Sequence, residues 1–138
     1  MDTQLFKGIT SLTHINLASN CLTSICSDLF EGLIELNEIK LSTNQLTFIP
    51  SIIFENLPKL SKIDLSYNQI KTLDKRIFMD LPSLRTVNYS FNESDINDSS
   101  YFEGVVDKCK FLMDEEQEVK QVVTFDMLDS INLALAID

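Results

Sequence analysis

"LSTNQL", residues 41–46, sets an asparagine among apolar residues that have the spacing of a core. The asparagine is Asn44, and its relatives Asn20, Asn68 and Asn92 stand 24 residues apart. A leucine eight positions before each keeps the same period: Leu12, Leu36, Leu60 and Leu84. So does a phenylalanine, at Phe6, Phe30, Phe54, Phe78 and Phe102. Three residue types locked to one period over residues 1–102 make an internal repeat. Such a repeat decides the architecture before any local propensity does.

The units read "LTHINLASNCLTSICSDLFEGLIE", "LNEIKLSTNQLTFIPSIIFENLPK", "LSKIDLSYNQIKTLDKRIFMDLPS" and "LRTVNYSFNESDINDSSYFEGVVD". All fit LxxLxLxxNxLxxLxxxxFxxLxx, with Ile, Val or Tyr at some leucine positions. In "LNEIKL", Ile39 and Leu41 alternate with Glu38 and Lys40, the period-two signature of a short strand. One strand per unit, all running the same way, stacks into a parallel sheet. At ~4.8 Å per strand, four or five strands make an arc about 20 Å long. After each strand the chain turns sharply inward and strands its own backbone groups away from water. Each buried group left unsatisfied costs roughly 1–3 kcal/mol. An asparagine carries both donors and an acceptor. A stacked ladder of Asn20, Asn44, Asn68 and Asn92 is therefore expected to bond the turns of its own and the next unit.

This pattern resembles the leucine-rich repeat family in its 24-residue "typical" form, over roughly residues 5–102. The class is that of Toll-like receptors, small leucine-rich proteoglycans and other animal extracellular receptors. The expected fold is α/β: a short solenoid with a curved parallel sheet and an irregular or 3₁₀ convex side. The phenylalanines stack behind the ladder as an aromatic spine. Segments such as "TFIPSIIFENLPK", with Pro50 and Pro58, show no long helical pattern. In the fourth unit Tyr89 replaces a leucine and Ser94 stands where Leu22, Leu46 and Ile70 stand, so the repeat decays there.

Residues 1–102 thus form one region and residues 103–138 a second, acidic and non-repeat. The first 92 residues hold 8 Lys/Arg and 9 Asp/Glu, and residues 93–138 hold 3 and 12, out of a total net charge of −10. Lys108 falls where a leucine belongs, and the phase is lost after Phe102. Val105, Val106, Cys109, Leu112, Met113, Val119, Val122 and Val123 suit an amphipathic helix over 105–123. A short helix capped by Asp126 follows. A helical lid over the last repeat is expected, because a solenoid exposes its core at each end; the alternative is a disordered or foreign tail.

The side chains alternating with the core lie on the concave face. His14, Glu38, Lys62 and Thr86 form one lateral row; Asn16, Lys40, Asp64 and Asn88 form another. Glu38 beside Lys62 and Lys40 beside Asp64 are complementary pairs. Two readings stay open. The pairs merely neutralise one another on a solvated sheet, each worth under ~1 kcal/mol. Or the face binds protein, with Tyr67 and Phe91 at its edge as aromatic anchors. The family resemblance implies a protein ligand on this concave face.

Catalysis finds no foothold: one histidine, three glycines and no nucleophile in a recognisable frame. No cofactor or metal is expected, and an acidic chain suits neither nucleic acid nor anionic membrane. No run of 18 apolar residues offers a membrane helix. The start "MDTQLFKGITSL" lacks a signal-peptide pattern. A cytoplasmic protein is expected if the chain is complete, an extracellular or surface one if it is part of something longer. Asn88, Asn92 and Asn97 open glycosylation sequons, of which Asn88 and Asn97 are the better acceptors. Cys21, Cys26 and Cys109 read as buried free thiols, with a Cys21–Cys26 disulfide left open because spacing does not decide it. Three functions fit: an extracellular recognition module, an intracellular scaffold, or a substrate-selecting subunit of an enzyme.

Overall fold

The computed structural model describes residues 5–94, 96, 99–104 and 109–112. Five three-residue strands run in chain order: β1 (His14–Asn16), β2 (Glu38–Lys40), β3 (Lys62–Asp64), β4 (Thr86–Asn88) and β5 (Lys110–Leu112). They form one parallel sheet in the order β1-β2-β3-β4-β5, each strand beside its sequence neighbour. The register advances by one repeat per strand: Ile15, Ile39, Ile63, Val87 and Phe111 share a row. The solenoid and its parallel arc are as the repeat requires.

The strands are short because only their central residue points inward. Ile39, Ile63 and Val87 are buried while their neighbours on each side face outward. Leu36, Leu41, Leu46, Leu60, Leu65 and Ile70 complete the core around them. Each such side chain contributes about 1.5–3 kcal/mol by leaving water. The phenylalanines line up behind. Phe6, Phe30, Phe54 and Phe78 stack with centroids 6.4, 6.5 and 6.1 Å apart.

The convex segments are turns, with 3₁₀ helices at Lys75–Phe78 and Ser99–Phe102. Just after the phenylalanine, Gly8, Gly32, Asn56 and Gly104 take positive φ, which reverses the chain. The third unit has no positive-φ residue at this place. Its 3₁₀ turn is capped by Asp74, whose carboxylate accepts from the Arg76 N–H.

Two expectations change. The helical pattern over 105–123 is not realised at 110–112, where the backbone forms β5 and keeps the repeat phase. Backbone pairing to β4 does not need the missing leucine. Phe111 supplies the inward side chain, stacked on Phe102 at 4.2 Å and 2°. The rest of the expected helix and the helix capped by Asp126 lie outside the described residues. The decay of the fourth unit is also milder than its letters suggest. Tyr89 is buried, and its hydroxyl lies 3.4 Å from the Ile70 carbonyl. Burial pushes that hydroxyl's pKa up, while a hydrogen bond with Ser94 opposes the shift. The polar Ser94 thus stands beside the one polar atom that replaced a leucine methyl.

Candidate functional site

The ladder comes first, because it shows which polar residues are already engaged. The Asn44 amide donates to Leu17 O at 2.9 Å, Leu41 O at 3.0 Å and Ser42 O at 3.3 Å. Its Oδ1 accepts from Leu22 N–H at 3.1 Å. Asn68 repeats this one unit on, to Leu41, Leu65 and Ser66 carbonyls, and accepts from Leu46 N–H at 3.0 Å. Asn92 bonds Leu65 O, Tyr89 O and Ile70 N–H. The partner unit is the preceding one, not the next. Asn20, exposed at the first turn, bonds only its own Leu17 and Ala18 carbonyls.

Immediately before each ladder asparagine, Ser19, Thr43, Tyr67 and Phe91 adopt φ between 54° and 58°. For a bulky side chain the left-handed region costs about 1–2 kcal/mol. It is held because the N–H of Ser19, Thr43 and Tyr67 each donates to a carbonyl of the next unit at 3.0 Å. The same twist lifts Tyr67 and Phe91 to the edge of the concave face. Their rings stack at 4.4 Å and 14°, with Tyr67 half exposed. Sequence reasoning sees the two aromatics but not the backbone that presents them.

The two concave rows form as registered. His14, Glu38, Lys62 and Thr86 are lateral neighbours, as are Asn16, Lys40, Asp64 and Asn88. Their pairing differs from expectation. Glu38 lies 3.7 Å from His14 Nε2 and 3.6 Å from Lys40 Nζ, and does not pair with Lys62. Asp64 turns along its own strand instead of toward Lys40. It accepts from Ser66 N–H at 3.0 Å and Ser66 Oγ at 2.6 Å. Asn16 and Asn88 do likewise, accepting from the N–H of Ala18 and Ser90, and Asn88 also from the Ser90 hydroxyl. A short side chain reaches the N–H two residues on more easily than a neighbouring strand. These three residues therefore shape the strand end, and Glu38, Lys40, Lys62 and Tyr67 are the ones that face outward with groups to offer.

Two further outward cations escaped the sequence reading. Arg85 precedes β4, and Lys110 opens β5 opposite Thr86. Lys110 was legible in principle, since it stands 24 residues after Thr86, but only while the phase is followed past Phe102. Of the sequon residues, Asn88 is half-buried with its Oδ1 engaged, and Asn97 lies outside the described residues. No disulfide joins Cys21, Cys26 and Cys109, but Cys21 is exposed rather than buried and Cys26 and Cys109 are half-buried. Burial pushes the Cys109 thiol up to about 11.

A family model described as leucine rich repeat matches residues 1–46 and 34–93. The chain belongs to the leucine-rich repeat family. Solved structures agree. A structure of the Drosophila Toll–Spatzle complex matches at 30% identity and a TM-score of 0.66, over 70% of this chain and 13% of that one. The glycosylated form matches at 27% and 0.72, over 81% and 16%. The leucine-rich repeat domain of APL1B shares the fold at 23% identity and a TM-score of 0.60, over 68% and 35%. The chain thus spans less than a fifth of the length of the Toll structures it resembles. No curated protein matches it by sequence. Leucine-rich repeat domains are typically protein-interaction modules.

Proposed function

We propose that this chain recognises a protein ligand on its concave face, as part of a larger extracellular receptor-like protein. The observation that carries the reading is the outward row of β1–β5. The central residues of β1–β4 are buried in the core, whereas Glu38, Lys40, Lys62 and Tyr67 stand together on one side, with carboxylate, ammonium and ring exposed or half-exposed. The parallel register sets these groups side by side on neighbouring strands. The likeness to Toll, solved in complex with Spatzle, supports a protein partner.

Photo-cross-linking tests the face. A photoreactive residue at position 40, on β2, is expected to give protein adducts, while one at position 79, exposed on the convex side, is not. Adducts from position 79 alone would overturn the concave reading.

A second reading, an intracellular scaffold, is favoured by three cysteines that form no disulfide with one another, since extracellular domains usually oxidise theirs. Intact mass before and after glycosidase, with thiol labelling, separates the two. A mass of 15.7 kDa with three reactive thiols supports the scaffold; a larger, glycan-bearing mass supports the receptor.

A further inference from the structure

The protein carries a net charge of −10, yet its concave face has the opposite sign. Strand positions facing outward, with the residue that precedes each strand, hold Lys40, Lys62, Arg85 and Lys110 against Glu38 and Asp64. That is four cations against two carboxylates, a net of two positive charges. The distribution along the arc is uneven. In the first half Glu38 is engaged by His14 and Lys40. In the second half Asp64 is turned into hydrogen bonds with Ser66. Lys62, Arg85 and Lys110 are all exposed, and none makes an ion pair among the described residues.

Lys62 and Lys110 occupy the same row two strands apart, with Thr86 between them. At ~4.8 Å per strand their stems are about 10 Å apart. Arg85 flanks this row, and the stacked Tyr67–Phe91 pair stands at the other end of β3 and β4. Like charges concentrated on one face raise the local potential of that face. The face therefore attracts a ligand of opposite sign even though the protein as a whole repels one.

We propose that Lys62, Arg85 and Lys110 form the docking site for an acidic segment of a protein partner. The Tyr67–Phe91 pair receives an apolar side chain of the same segment. This rests on the concave-face reading above and names the ligand chemistry. Protein is favoured over nucleic acid for two reasons. The protein's net charge of −10 opposes the approach of a long polyanion. The stacked ring pair, with Tyr67 half exposed, also offers apolar contact at a distance from the cations, which suits a chain with mixed side chains.

The test is a selection of displayed random short peptides on the whole protein, followed by affinity measurement on variants. Enriched peptides are expected to be rich in Asp and Glu with an aromatic or branched apolar residue. Their affinity should fall at least about tenfold in Lys62→Glu/Lys110→Glu and stay near wild type in Lys62→Arg/Lys110→Arg. It should also weaken as salt rises from about 0.05 to about 0.3 M. Lys71→Glu, an exposed charge reversal off the strands, controls for net charge and should change little. Unchanged melting temperatures for all variants establish that binding, not folding, was altered.

Several results would overturn the proposal. Neutral or basic peptides that are lost on Tyr67→Ala but indifferent to the lysines would leave the concave face standing without an acidic ligand. Peptides lost only on Met79→Glu would remove both readings. No enrichment, together with single-stranded RNA that binds and is lost in Lys62→Glu/Lys110→Glu, would make the partner a nucleic acid. Tenfold tighter peptide binding by a variant with Asp114, Glu115, Glu116 and Glu118 neutralised would make the occupant this chain's own acidic segment.

Discussion

The asparagine ladder and the concave rows are built from the same kind of material, polar residues repeated every 24 positions, and they end in opposite states. The Asn44 and Asn68 amides each make four hydrogen bonds, all to backbone. Lys62 and Lys110, a few residues before a ladder position or a strand end, are exposed and make no ion pair among the described residues. What separates them is where the backbone turns. The chain leaves the strand and folds inward just before each asparagine, so the side chain there meets stranded carbonyls. On the strand itself the backbone is already paired to its neighbours, and an outward side chain is left for something else. Periodicity alone does not distinguish a structural polar residue from an available one; the backbone's unmet hydrogen bonds do.

The contrast can be broken most severely inside the ladder. Asn68→Ala leaves the buried Leu46 N–H without its partner and takes one of two asparagine donors from the Leu41 and Leu65 carbonyls, which keep Asn44 and Asn92, and should cost about 2–3 kcal/mol on denaturant unfolding. The gradient along the ladder sharpens the point. Asn20→Ala, with two local bonds at an exposed turn, should cost no more than about 1 kcal/mol. Tyr89→Phe removes a hydroxyl that bonds Ile70 O and Ser94 but leaves the ring in place, for a loss of about 1 kcal/mol. Asp74 gives a pH-dependent check outside both regions. Hydrogen bonds from the Arg76 side chain and backbone hold its carboxyl at about 2. Its depressed value means that any contribution is present above the ordinary 3.8 and fades as pH falls toward 2. Carboxyl NMR should find a midpoint near 2 that rises toward 3.8 in Arg76→Ala. Smallest of all, Lys62→Ala should alter stability by under ~1 kcal/mol.

Much of this was legible in the sequence. The period fixes strands, register, ladder and aromatic spine, because each is a residue type at a constant offset. What the letters hide is direction and pairing. The Asp64 carboxylate looks like a partner for Lys40 in the adjacent row, but Ser66 two residues on offers its N–H and hydroxyl at shorter reach. The positive φ at Tyr67 and Phe91 carries no letter signature, since neither is glycine. β5 was missed because Lys108 stands at a leucine position, while Phe111 at the strand centre keeps the repeat going. The basic patch followed from that miss, as Lys110 and Arg85 complete it.

Native-state hydrogen exchange at the Leu46 amide tests the central claim most directly. That N–H is bonded to the Asn68 side chain, so its protection reports the ladder itself and not the strands. Strong protection is expected in the wild type, with its loss in Asn68→Ala and no change in Lys62→Ala. Protection at Leu46 that survives Asn68→Ala would mean that the turn satisfies its backbone without the asparagine, and that the ladder is not what separates the structural face from the available one.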